Sequence, residues 1–332
     1  MDSFLQLSDK DKITFCEQGQ ARRGFPAASL EKDFWVCWTL RHLFQLPKVG
    51  DSLCFKGGTS LSKAWKLISR FSEDIDIVID RGIFGFEHDV PSTGQLNKLR
   101  EKCGRYIRQE ILPALTQIFQ ENLPPDAKWV LRIATKEEDP DEQSLIFEYP
   151  GVLLNRIGYL RPMVKLEFGA RGDTDPVENP IIQSHLCEIF PEQLGNGKFT
   201  VRTVSPVRTF WEKAMLLHED AQRGGDGPRK RFLARHYYDL WAMGETDVAE
   251  RAMADLDLFE RILAHRKAFF RYNWMNYDSM RPGSFQFRPP ADQERGWRAD
   301  YEAMKDEMFA GETPSFDTIL LRLEAYEQRF NT

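Results

Sequence analysis

Every clear stretch of period-two alternation in this chain lies before residue 205, and almost everything after it repeats with the period of a helix. Alternation puts successive side chains on opposite faces of a strand, whereas apolar residues three and four apart share one face of a helix. The sequence therefore predicts an α+β fold: a domain with a mixed sheet over 1–204, then a helical domain over 205–332. Helices and strands do not alternate strictly, which excludes a doubly wound parallel sheet. Strands are expected at 53–55, 74–80, 129–134, 145–149, 163–168 and 199–204, with a solvated acidic turn at 137–142. Ser8 reads as the cap of a helix over 9–20, and Ser29 as the cap of a second helix that Pro47 closes. A helix face is expected over 61–68, and another helix over 93–120 with a kink at Pro113. Ser205-Pro206 opens the helical part, with Ser as cap and Pro at the first helical position.

Composition removes several classes of function. Hydrophobic residues make up 42% and charged residues 29%, close to the globular average. No run approaches the ~18 apolar residues of a membrane span, and the N-terminus lacks the basic region and apolar core of a signal peptide. Lys plus Arg is 45 against 51 Asp plus Glu, a net charge of −6, so any contact with a polyanion must come from a local basic patch. Cys16, Cys37, Cys54, Cys103 and Cys187 are scattered with no C-x-x-C pair, which suggests neither a disulfide framework nor a zinc site. Reduced thiols in a cytoplasmic protein are the expectation.

Chemistry concentrates in a few places. Asp74-Ile75-Asp76 puts two carboxylates on one strand face, ~6–7 Å apart along the chain. Such a pair is costly to desolvate unless a divalent cation sits between its members, and hard oxygen ligands suit Mg²⁺. The alternative is the polar outer face of an edge strand. Upstream, Lys56-Gly57-Gly58-Thr59-Ser60 follows an apolar run and opens a helix, a place where backbone amides can meet phosphate and where a plain turn is equally at home. It lacks the ending of a Walker A loop. Lys165 and Glu167 share one face of their strand, as a third carboxylate with its neighbour or as a structural charge pair. Lys213 lies among aromatic and aliphatic residues and could reach a triphosphate as a point charge. Asp239 fits a helix-face salt bridge, and Arg229-Lys230-Arg231 on a Gly-rich loop is the densest basic patch, either solvated or in contact with an RNA backbone. His218 and His236 read as ordinary helix residues, and the six histidines show no metal-ligand spacing.

The order K-G-G-T-S-L, then R-F-S-E-D-I-D-I, resembles the AbiEii/AbiGii family of nucleotidyltransferase toxins, which is related to the mycobacterial MenT toxins. Further blocks fall in the family's order: Leu30-Glu31-Lys32-Asp33-Phe34-Trp35, the strand around Lys165–Phe168, Phe210-Trp211-Glu212-Lys213, Tyr238-Asp239-Leu240 and Pro314-Ser315-Phe316-Asp317. The resemblance implies a polymerase β-like nucleotidyltransferase domain followed by a helical domain that completes the active-site cleft. It implies catalysis by Asp74, Asp76, Glu167, Lys213 and Asp239, with two Mg²⁺ ions on Asp74, Asp76 and Glu167. It implies nucleotide binding by Gly57, Gly58, Thr59, Ser60, Arg70, Ser72 and Lys213. The expected reaction moves a nucleotide from an NTP to an RNA 3′ end, most simply that of a tRNA, in a cytoplasmic toxin with a cognate antitoxin and no membrane partner. Transfer to a protein side chain and a non-catalytic nucleotide- or partner-binding domain are the alternatives.

Overall fold

The structure, a computed structural model, describes residues 1–72, 74–86, 89–153, 162–309 and 312–332, the side chains of 306 and 307 excepted. The chain forms two compact units. The first takes 1–65, 71–88 and 92–204; the second takes 205–332 together with the short segments 66–70 and 89–91.

The first unit contains helices α1 (Asp2–Leu5), α2 (Asp9–Arg23), α3 (Ala27–Phe44), α4 (Gly57–Lys63), α5 (Thr93–Tyr106), α6 (Leu112–Asn122), α7 (His185–Ile189) and α8 (Pro191–Leu194). Its strands are β1 (Leu53–Lys56), β2 (Ile75–Ile79), β3 (Val130–Ile133), β4 (Ser144–Glu148), β5 (Met163–Gly169), β6 (Val177–Glu178), β7 (Ile181–Ile182), β8 (Phe199–Thr200) and β9 (Thr203–Val204). Seven of them form one mixed sheet in the order β3-β4-β5-β2-β1-β9-β6, while β7 and β8 pair separately. The β2–β5 and β1–β9 pairs are parallel, and the β1–β2, β3–β4, β4–β5 and β6–β9 pairs are antiparallel.

Local chemistry explains the helix ends. Ser8 caps α2 by accepting from the Asp11 amide (3.2 Å), and α2 runs on to Arg23 before Gly24 stops it. Ser29 is not a cap: α3 already begins at Ala27, because Pro26 sets the entry and leaves no N–H to satisfy, and Ser29 is buried within the helix. Trp35 and Trp38 of α3 pack on Phe147 of the sheet. The buried charges of α3 have partners. Glu31 accepts from the amides of Val152 (2.6 Å) and Leu153 (3.1 Å), and Asp33 pairs with Lys63 and accepts from the His185 amide (2.7 Å). The Leu30–Trp35 block is therefore a core element.

The expected helix over 61–68 stops early. α4 ends at Lys63, the Trp65 indole is tied to the Val204 carbonyl (3.2 Å), and Lys66 turns at φ 54°. Pro113 acts as more than a kink. A π-turn over Ile107–Ile111 separates α5 from α6, and its wider spacing accommodates a residue that has no N–H to give and a ring that crowds the preceding turn. The acidic stretch 137–142 is an ordered turn: Glu138 binds Arg132 (2.7 Å), and Asp139 accepts from Ser144 and the Gln143 amide (both 2.8 Å).

The second unit is helical: α9 (Pro206–Arg223), α10 (Arg235–Gly244), α11 (Val248–Ala254), α12 (Leu256–Phe269), α13 (Glu294–Met308) and α14 (Phe316–Asn331). Ser205 stands at the N-cap of α9, yet its side chain makes no capping bond. Trp211 centres the core; its indole donates to the Ala252 carbonyl (3.0 Å), and it packs against Phe259 and Phe330. His218 is fully buried. It bonds Ser279 (2.8 Å), accepts from the Gln286 amide (2.9 Å), and burial lowers its pKa to about 4.

Candidate active site

In the large sheet, the two faces carry different chemistry. On one, Ile75, Leu145, Phe147, Val164 and Leu166 are buried. On the other, register lines up a polar row across four strands. Lys56 on β1 pairs with Asp76 on β2, Asp76 with Glu167 on β5, and Glu167 with Ser144 on β4. Paired residues on neighbouring strands share a face, the strands lying about 4.8 Å apart. Asp76 and Glu167 are thus neighbours by register, as their placement on two strands had suggested. Asp74 stands one residue before β2 and is exposed, while Asp76 is half-buried.

The turn between β1 and α4 is shaped around Asp76. Gly57 has φ 79°, and a Cβ on it would lie 1.9 Å from Asp76 Oδ2. Only glycine leaves that carboxylate in place. Thr59, fully buried, donates to the Asp74 carbonyl (2.5 Å) and shares a hydrogen bond with the Ser72 hydroxyl (2.9 Å). It ties the stretch before β2 to α4. Ser60 is also fully buried and donates to the Gly57 carbonyl (2.8 Å). Both hydroxyls make these bonds within the turn and shape it. Gly57 and Gly58 remain half-exposed.

Glu167 is held by Lys165, whose ammonium lies 2.5 Å from Glu167 Oε1 and 3.4 Å from the Glu138 carbonyl. Burial works against the charge of Lys165, but Glu167, Asp74 and Asp139 outweigh it and raise its pKa. Among the described residues, no three His, Cys, Asp or Glu side chains stand close enough to hold a metal ion. The donor set still suits one. Asp74, Asp76 and Glu167 offer hard carboxylate oxygens of the kind Mg²⁺ takes, and the missing side chain at Gly57 is what lets the Asp76 carboxylate sit against the turn.

Within the second unit, a separate buried cluster gathers three residues the sequence had singled out. Asp239 on α10 receives Arg70 in two bonds, Nε to Oδ1 (2.7 Å) and Nη2 to Oδ2 (2.8 Å), and Lys213 Nζ lies 2.8 Å from Oδ2. Asp239 is 0% exposed, Arg70 3% and Lys213 7%. Arg70 is thus a clamp on Asp239 in this structure. Burial alone would raise the Asp239 pKa, but Arg70 and Lys213 hold it well below the usual carboxylate range. Burial lowers the Lys213 pKa; Asp239 opposes the shift without reversing it, and Arg70 adds to it.

His236 completes the cluster and was missed. Its Nδ1 accepts from the Lys213 ammonium (3.2 Å). Burial, then Lys213 and Arg235, hold its pKa well below the ordinary value, so the ring is neutral at pH 7. The available signal was its position three residues before Asp239, on the same face of α10. Tyr238 adds a further tie by accepting from the Ser69 amide (3.2 Å).

The loop carrying Arg229, Lys230 and Arg231 is exposed but anchored. Asp300 accepts from the amides of Phe232 (2.6 Å) and Ala234 (2.9 Å), and Arg229 binds Asp220 (2.6 Å). Gly227 and Gly296 meet backbone to backbone, so a Cβ on Gly296 would lie 2.0 Å from the Asp226 carbonyl oxygen.

Carboxylates in register beside a glycine turn on a mixed sheet are an arrangement that can meet phosphate through bound divalent cations. The chain matches the family described as "Nucleotidyl transferase AbiEii toxin, Type IV TA system" over residues 38–322 and belongs to it. It is a nucleotidyltransferase toxin of that kind, a family property that implies an NTP substrate and a cognate antitoxin. Among solved structures, the chain is similar to MenT4, a nucleotidyltransferase toxin from Mycobacterium tuberculosis H37Rv. That match has 19% identity and a TM-score of 0.40, covering 96% of this chain and 99% of the other. No curated protein matches the chain significantly. No helix among the described residues is long and apolar enough to cross a membrane.

Proposed function

We propose that the protein transfers a nucleotide from an NTP to an RNA 3′ end, with a tRNA acceptor as the simplest substrate, in a Mg²⁺-dependent reaction in the cytoplasm. The observation that carries this reading is the in-register row of Asp76 and Glu167 with Gly57 against the Asp76 carboxylate. Asp74, Asp76 and Glu167 would hold two divalent cations. When bound, such ions neutralise the triphosphate and lower the pKa of the acceptor hydroxyl.

The chain's own residues divide the remaining work. Gly57 and Gly58 let phosphate approach the backbone, while Thr59 and Ser60 keep the turn in shape. The acceptor hydroxyl gives its proton to solvent as its oxygen bonds the α-phosphorus, the bond from that phosphorus to the α–β bridging oxygen breaks, and pyrophosphate leaves with that oxygen. Lys213 neutralises charge that develops on that leaving group, a preorganised contribution that acts at the transition state. Asp239 and His236 fix its ammonium, and Arg70 fixes Asp239. Arg229, Lys230 and Arg231 meet the RNA backbone.

Incubation with each labelled NTP, Mg²⁺ and total RNA, resolved on a gel, tests the reading. Label is expected in RNA of tRNA size. Label in protein instead would move the acceptor to a side chain, and no incorporation with any NTP would overturn the reading. Asp74→Ala and Asp76→Ala are expected to abolish both incorporation and growth inhibition with the fold intact, since removing one of two repelling carboxylates does not destabilise the metal-free protein. An active Asp76→Ala enzyme would remove the metal assignment.

A further inference from the structure

Lys165 has no place in the reaction described above, yet its ammonium stands against the carboxylates the reaction needs. It lies 2.5 Å from Glu167 Oε1, on the oxygen that a third metal ligand would offer. The side chains of Lys165 and Glu167 are 23% and 42% exposed. Ion pairs as exposed as this add little to stability, so folding alone gives no strong reason for a lysine here. Alternation along β5 puts Lys165 and Glu167 on one face while Val164, Leu166 and Phe168 fill the core, so the lysine faces the polar row by construction. A second acceptor for its ammonium is already present in the Glu138 carbonyl at 3.4 Å. The side chain has somewhere to go when Glu167 is taken.

We propose that Lys165 is a resident counter-ion of the carboxylate face, competing with the divalent cation for Glu167 so that the site loads on the cation–triphosphate complex rather than on the free ion. This inference rests on the metal-dependent reading above. The physical reason is charge. An ammonium on Glu167 balances the face when it is empty of other cations, and it opposes a bare divalent ion a few ångströms away. A cation that arrives with a triphosphate brings its own negative charge, so the same ammonium attracts the complex instead. At a separation of about 5 Å, with the charges screened as in water, repulsion between a single and a double charge changes an affinity by on the order of ten-fold.

The test is a Mn²⁺ titration followed by electron paramagnetic resonance, on wild type, Lys165→Met, Lys165→Arg and Asp76→Asn. Each is run with and without a non-reactive NTP analogue, with melting curves to confirm folding. Lys165→Met is expected to bind free Mn²⁺ on the order of ten-fold more tightly than wild type, and to gain less from the analogue. Lys165→Arg, which keeps the charge, is expected to behave as wild type. Free-ion affinity that is unchanged or weaker in folded Lys165→Met would overturn the counter-ion role while leaving the metal site standing. Equal Mn²⁺ binding by wild type and Asp76→Asn would instead overturn the metal site itself, and the inference with it.

Discussion

Gly57 is the residue on which the carboxylate site turns. Its φ of 79° lies in the left-handed region, and its missing side chain is what lets Asp76 occupy its position. Gly57→Ala meets two penalties at once. The backbone conformation costs a non-glycine residue about 1–2 kcal/mol, and the new methyl must push the Asp76 carboxylate aside. The expected outcome is a melting midpoint lower by a few degrees, with transfer reduced by roughly 100-fold, as a misplacement of about 1 Å does elsewhere. Thermal melts and incorporation assays on the same preparation check both. Full activity in a folded Gly57→Ala protein would show that Asp76 need not stand where it does. In the sequence, the double glycine looked as much like a turn as like a phosphate cradle. Its contact with Asp76 was out of reach, because the two meet only through the antiparallel register of β1 and β2, which sets Lys56 opposite Asp76.

At the scale of the element, α9 and α10 behave as one unit of charge. Lys213 on α9 and Arg70 both terminate on Asp239 of α10, and His236 receives the lysine from the other side. Lys213→Ala leaves Asp239 with its two bonds to Arg70, so the fold is expected to survive. Catalysis is expected to fall by orders of magnitude, with kcat and kcat/KM reduced together, the pattern of a contact made in the transition state. Retained kcat with a raised KM would assign Lys213 to uniform substrate binding instead. Asp239→Asn acts differently: it takes the shared carboxylate away from two buried cations, and such losses cost about 3–5 kcal/mol.

The same pairing fixes a pH dependence. Because Arg70 and Lys213 depress the Asp239 pKa, its contribution is fully present above the ordinary unfolded carboxylate range. It is lost only as the pH falls below that range toward the folded value. Urea denaturation across acid pH should show this loss in wild type and not in Asp239→Asn. An identical acid slope in the two proteins would deny the pairing its energetic role.

Across the whole molecule, the charge of −6 repels a polyanion, so RNA must find cations that are concentrated and exposed. Arg229 is committed to Asp220 and the Arg231 guanidinium lies over the Phe232 ring, so the charges of Lys230 and Arg231 are reversed with melting curves to confirm that the loop holds. Lys230→Glu with Arg231→Glu is expected to weaken RNA modification and to flatten its salt dependence by roughly 0.7–0.9 in log–log slope for each phosphate contact removed. Hydrolysis of NTP without RNA should hold steady. Unchanged modification at all salt concentrations would send the RNA path elsewhere. In the sequence the loop read as a Gly-rich segment, solvated or in contact with RNA. The Gly227–Gly296 approach and the Asp300 bonds show an anchored one, since they join residues far apart in the chain.

Periodicity in the sequence already determined the elements: where side chains must alternate or recur to bury an apolar face, β2, β4 and β5 and the helices from Pro206 onward follow from spacing alone. It also made Asp74, Asp76, Lys213 and Asp239 visible, because charged residues set into apolar patterns stand out without any knowledge of the fold. What it left undecided was pairing. That Asp76 faces Glu167 across a parallel pair, that Lys165 holds Glu167, that Arg70 clamps Asp239, and that Thr59 and Ser60 turn inward are facts of register and burial. Register is a property of two strands together, and burial of the whole packed unit. A hydroxyl or guanidinium is read correctly only when its partners are known, and those partners lie up to 169 residues away.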